Sequence, residues 1–280
     1  MRYGQPPFIP QPPPDPPERP EGASPWPRWP WWYGPVALLV ALAASVLLGG
    51  LIGGAILAAS GEDDIDSPAF LISATLVQDA IFIGTALWFA SRTQRPRREH
   101  FGLRPTRLWP ALGWAALAFV SFIVFAAVYS TLVSVEEQST IDDLGADEST
   151  LALVASAVLV IVLAPVVEEF FFRGFMYRAL RTRMGVLAAA AVDGGLFGLI
   201  HATSGIDAVP ILAVLGFAFC LVYERTGSLY PVIALHTFNN AIAYGAGTES
   251  GWLSAGLGLA VIASCVFAPR LSARRPAAAG

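Results

Sequence analysis

The sequence predicts an all-α, polytopic transmembrane helix bundle of about eight spans with both termini cytoplasmic, and three observations predict it. Of 280 residues, 55% are hydrophobic and only 14% charged, against roughly 45–50% and about 25% in soluble domains; mean hydropathy is +0.59. Apolar runs recur at the roughly 17–25 residues that one bilayer crossing requires. The connections between them alternate in charge, as they must if arginine is kept on the cytoplasmic side. A soluble enzyme scaffold is excluded, and no basic cluster is interleaved with aromatics in a way that would bind nucleic acid.

Residues 1–34 are too proline-rich for helix or sheet to propagate, so they read as a disordered cytoplasmic tail. Its PxxP-like stretches offer a partner domain a docking segment, although a plain solvated tail explains them as well. A long polar stretch ahead of the first apolar run argues against a signal peptide, and WPRWPWWY fits an interfacial aromatic anchor. Apolar runs follow at about 35–60, 68–91, 109–134, 150–172, 186–203, 207–223, 229–247 and 252–268. GEDDIDS after the first is acidic, SRTQRPRREHFGLRPTR after the second basic, and VEEQSTIDDLGADES after the third acidic. Arg178, Arg181 and Arg183 follow the fourth run, Arg225 the sixth, and residues 269–280 form a basic cytoplasmic tail. The chain thus divides into the tail 1–34, three helices with their loops in 35–149, a core in 150–268, and the closing tail. Both cysteines, Cys220 and Cys265, fall in apolar runs and read as small packing residues with no disulfide.

Ionisable residues at membrane depth are costly, and each is a functional-site hypothesis by default. They cluster in APVVEEFFFRGFMYRALRTR, AVDGGLFGLIHA and YPVIALHTFNNAIAYG. Glu169 and Arg173 stand i and i+4 and can pair, which leaves Glu168 free to act. His236 and Asn240 likewise share one face of their helix. If the fourth and fifth helices form a hairpin turning near Met184 and Gly185, Glu168 and His201 lie at one depth, about 25 Å from the turn at 1.5 Å per residue. The same arithmetic pairs Arg178 with Asp193 as a brace across the hairpin.

A carboxylate, two imidazoles and a carboxamide around one dry cavity suit amide hydrolysis. Glu168 would take a proton from water attacking the carbonyl, His201 would orient that water, and His236 and Asn240 would donate to the developing oxyanion. The same residues admit an inorganic reading, with Glu168, His201 and His236 as zinc ligands around an open position. The residues favour glutamate-driven catalysis with no obligatory metal, because the only motif neighbour one turn from His236 is Asn240. Two other readings use the cluster without hydrolysis. One is a non-catalytic membrane immunity or partner-binding protein; the other is a proton-coupled transporter relaying through Asp79, Asp193 and Glu168, against which the absence of internal repeats counts.

EEFFFR as EExxxR, FGLIH as FxxxH and HTFNN as HxxxN, in that order in a multi-span chain, resemble the CPBP family of intramembrane proteases. That family groups CAAX-type prenyl-protein endopeptidases with bacterial relatives linked to bacteriocin self-immunity. ERTGSLYPVIALH and FGLR also resemble its members. The resemblance implies Glu168, His201, His236 and Asn240 as catalytic residues and Glu169 and Arg173 as supporting charges. It further implies a multi-pass protein of the cell membrane, in contact with lipid, that cuts a protein or peptide substrate which carries, or lacks, a prenyl group.

Overall fold

A computed structural model describes residues 27, 29–60, 67–135, 143–202, 205–248 and 250–273. Most of the proline-rich tail, much of the two acidic loops and the end of the basic tail lie outside these. The described chain is all helical: α1 Tyr33–Ser60, α2 Pro68–Ser91, α3 Leu108–Leu132, α4 Thr150–Leu180, α5 Val186–Ile200, α6 Val209–Thr226, α7 Tyr230–Gly247 and α8 Gly251–Ala273. Six of the eight are long and apolar enough to cross a membrane. Eight helices stand where about eight spans are expected, but two fall short of a crossing by length or apolarity: α5 is short, and α7 carries the polar run from His236 to Asn240. The protein is a multi-pass membrane protein.

Local chemistry sets the helix ends. Ser67 and Ser149 cap α2 and α4 by accepting the N–H of Phe70 and Ala152, and prolines occupy the first turns of α2, α6 and α7, where a missing N–H costs nothing. Hydrophobic residues cover the outer faces as well as the core: Leu39, Leu51, Leu117 and Leu259 are all exposed. Such surface is stable only where the surrounding solvent is itself apolar.

α4 departs from regular helix twice. Pro165 lies mid-helix, where its ring removes one hydrogen bond and crowds the carbonyl four residues back. The preceding turn, Leu159–Leu163, is widened to π geometry, as is Phe170–Tyr177 beyond Glu168 and Glu169. Wide turns of this kind commonly mark functional sites. α5 and α6 pack closely through glycine: a Cβ on Gly194 would lie 2.5 Å from the Phe217 nitrogen, and one on Gly198 2.6 Å from the Val209 carbonyl. This close seam lets side chains from α4 reach across to the α6 backbone.

The basic connection 92–107 folds over one end of the bundle. A 3-10 turn at Arg98–Phe101 ends in Gly102 at φ 80°, a left-handed conformation that glycine adopts freely. Arg104 donates to the Gly227 carbonyl at 2.7 Å, Ser228 donates to the Arg104 carbonyl, and Arg178 donates to the carbonyls of Glu99 and His100. His100 belongs to this cap: its Nδ1 accepts from the Arg97 N–H at 3.1 Å. Burial, then the charges of Arg178 and Arg97, lower its pKa below the usual imidazole value.

By the positive-inside rule this capped end is expected on the cytoplasmic side. A cysteine placed at Arg95 is therefore expected to be shielded from an impermeant thiol reagent added to intact cells, and one at Glu148 to react. The opposite labelling would invert the orientation.

Candidate active site

Glu168 and Glu169 sit side by side on α4 and, at about 100° per residue, face different neighbours. Glu169 is fully buried, and its Oε1 accepts from the Arg173 guanidinium at 2.9 Å and from His236 Nδ1 at 2.7 Å. Arg173, also fully buried, donates to the Gly216 carbonyl at 2.9 Å. Its Nε stands 3.5 Å from Asp193 Oδ1, within ion-pair range though not aligned as a hydrogen bond. The guanidinium lies 4.5 Å from the Phe197 ring centre and 5.1 Å from that of Phe219, contacts that favour a desolvated cation.

The expected i, i+4 pair of Glu169 and Arg173 is present; the expected pair of Arg178 and Asp193 is not. Asp193 is held by Arg173 and accepts from the Cys220 thiol at 3.0 Å. Arg178 is instead engaged by the cap formed by the 92–107 connection. The hairpin arithmetic fixed depth but not direction around the helix. Asp193 and Phe197 of α5 and His201 just past its end recur every four residues as one stripe, and that spacing is the signal that could have aimed Asp193 at the core. Cys220 is a free thiol, but a hydrogen-bond donor and not merely a packing residue.

Glu168 faces the two imidazoles. His201 Nε2 is 4.0 Å from one of its oxygens and His236 Nε2 is 3.8 Å from the other. Each ring has its Nδ1 committed elsewhere. His201 Nδ1 is 2.7 Å from the Phe197 carbonyl, which can only accept, so Nδ1 carries the proton. His236 Nδ1 meets Glu169 in the same way. In their neutral forms both rings therefore present a bare Nε2 lone pair toward Glu168. His236 and Glu169 repeat the imidazole and carboxylate pairing that holds a catalytic histidine in orientation and stabilises it when charged.

Asn240 is drawn to another partner. One N–H of its carboxamide donates to the Val160 carbonyl at 3.0 Å, within the first π turn of α4. That bond clamps α7 to α4 and leaves the second N–H for other use. An apolar cleft of about 390 Å³ lies between α3, α7 and α8; Leu235 and Phe238 of α7 form part of its wall, and Glu168, His201, His236 and Asn240 do not line it.

The donor set suits zinc chemically, since both histidines have the fixed Nδ1 acceptors that zinc ligands require. The acceptor of His236 is Glu169 of α4, which lies outside the one-turn neighbourhood of His236 on its own helix. The spacing is less favourable. Tetrahedral zinc holds nitrogen and oxygen ligands about 3.3 Å apart, shorter than the 3.8 and 4.0 Å here. Among the described residues no group of three or more His, Cys, Asp or Glu stands at metal-binding spacing.

Comparison with known proteins points at the same segment. Residues 150–242 match the family model of the type II CAAX prenyl endopeptidase Rce1-like proteins. A Bacillus subtilis protein named "Putative membrane peptidase YdiL" is 27% identical over 79 residues, 28% of this chain and 32% of its own. Another from the same organism, "Uncharacterized protein YyaK", is 23% identical over 173 residues, 57% of this chain and 56% of its own. The chain thus spans about a third to a little over half of the length of these relatives. No solved structure matches. The resemblance read from the three motifs is borne out where the site is built, since residues 150–242, which carry all three, are similar to the Rce1-like family model.

Proposed function

We propose that this protein is an intramembrane endopeptidase of the cell membrane that hydrolyses a peptide bond in a membrane-associated protein or peptide, with Glu168 as general base. One observation carries the reading: a carboxylate flanked by two bare imidazole nitrogens at 3.8 and 4.0 Å, each ring locked through its other nitrogen. Water held among these groups gives one proton to Glu168 while its oxygen bonds to the carbonyl carbon. As the carbon–nitrogen bond breaks, Glu168 returns that proton to the departing amine. The Nε2 of His201 accepts the second O–H of the water and aims it. His236, whose bare Nε2 has no proton to give, helps hold the water while Glu169 fixes its ring, and the candidate donor to the oxyanion is the second N–H of Asn240. The apolar cleft between α3, α7 and α8 offers a lipid-modified substrate a place for its chain.

The experiment is cleavage by the purified full chain in lipid nanodiscs of two internally quenched peptides ending in a CAAX sequence, one farnesylated and one not, with product masses read by mass spectrometry. An internal cut near the carboxyl end of either is expected. A folded protein that binds the peptides and never cuts them would favour the immunity or partner-binding reading.

The locked Nδ1 atoms favour one second reading, in which Glu168, His201 and His236 hold zinc. The ion would supply Lewis acidity and an activated water. The wider spacing supports the metal-free reading, which expects cleavage to persist in protein shown by elemental analysis to be stripped of metal. Loss of cleavage on stripping, restored by one equivalent of zinc, would establish the metal reading instead.

A further inference from the structure

Asp79 is the sole ionisable residue of α2, and a carboxyl at membrane depth is too costly to be carried without use. Ring contacts fix where it lies. Phe82 meets Phe171 at 4.7 Å, and further along both helices Phe89 meets Phe175 at 6.5 Å. Numbers rise together in the two contacts, so α2 and α4 run parallel. Asp79 precedes Phe82 by the same three residues that separate Glu168 from Phe171. Asp79 is then about 4.5 Å, nearly one turn, before Phe82, and Glu168 about as far or slightly less before Phe171, where α4 widens to π geometry. The two stand at one depth, and the charge of Asp79 acts on Glu168.

Asp79 Oδ2 is buried and has no hydrogen-bond partner among the described residues. Arg173, the buried cation that acts on Glu168, is already committed to Glu169, Asp193 and the Gly216 carbonyl. His201 and His236 approach Glu168 through their Nε2 atoms, whereas Asp79 approaches from α2.

We propose that Asp79 is a second carboxyl of the active site, a positioning residue that holds Glu168 in place through a bridging water donating one O–H to each carboxylate. What Glu168 does in that position rests on the peptidase reading; the pairing itself does not. The arrangement sacrifices stability for placement, because a buried carboxyl without a fixed cation weakens the bundle.

The test has two arms in the full-length protein. Melting temperatures of D79N, E168Q and the double variant in detergent form a cycle that needs no substrate. D79N is expected to melt higher than the natural protein, and the two changes to depart from additivity by about 2 °C or more. In the second arm, D79N is expected to lower kcat on the quenched farnesylated CAAX peptide about ten- to a hundredfold at unchanged KM, with D79E recovering part of the loss. Additive melting shifts, a D79N that melts lower, or a D79N with natural kcat each overturn the proposal. If the natural protein cuts neither peptide, the peptidase reading fails and the melting cycle alone decides the role of Asp79.

Discussion

Arg173→Met is expected to cost about 3–5 kcal/mol, the largest loss of stability from any single change in the described bundle. The guanidinium is fully buried and is the common partner of Glu169, Asp193 and the Gly216 carbonyl, elements of α4, α5 and α6. Methionine keeps much of the volume but leaves two buried carboxylates without a counter-charge and one carbonyl without its donor. Arg173→Lys should recover only part of the loss, because a single ammonium cannot reproduce the planar fork. Thermal unfolding in detergent checks both. The same measurement separates the two arginines: Arg173→Ala with Asp193→Ala should be strongly non-additive, while Arg178→Ala with Asp193→Ala should simply add. Coupling of Asp193 to Arg178 instead would contradict the network described here.

The helical class was legible in the sequence because bilayer thickness sets a length that apolar runs must meet, and arginine marks the ends. The three motifs were legible because polar residues within such runs stand out, and i, i+4 spacing gives shared faces without a structure. What escaped was anything that depends on rotation of one helix against another. Asp193 was matched to Arg178 by depth, while the α5 stripe turns it toward Arg173. Asn240 was placed with His236 by spacing, yet the Pro165-linked π turn draws its carboxamide to Val160. The acceptor for His236 comes from α4, 67 positions away in sequence. Asp79 needed two aromatic contacts to fix its register. No spacing within α2 could have supplied that.

Glu168→Gln is the change that bears most directly on the account. Glutamine preserves size and one acceptor oxygen while removing the ability to take a proton, and the Glu169, Arg173 and His236 interactions do not pass through it. The protein should therefore fold and melt no lower than the natural chain. The rate at which it cuts the quenched CAAX peptide in nanodiscs should fall by about a thousandfold or more, the upper range for losing a positioned general base. Peptide binding should be retained. The single number to measure is that rate relative to the natural protein under identical conditions: a ratio near one in a thousand or below is expected, and a folded Glu168→Gln protein cutting within about tenfold of the natural rate would contradict Glu168 as the base.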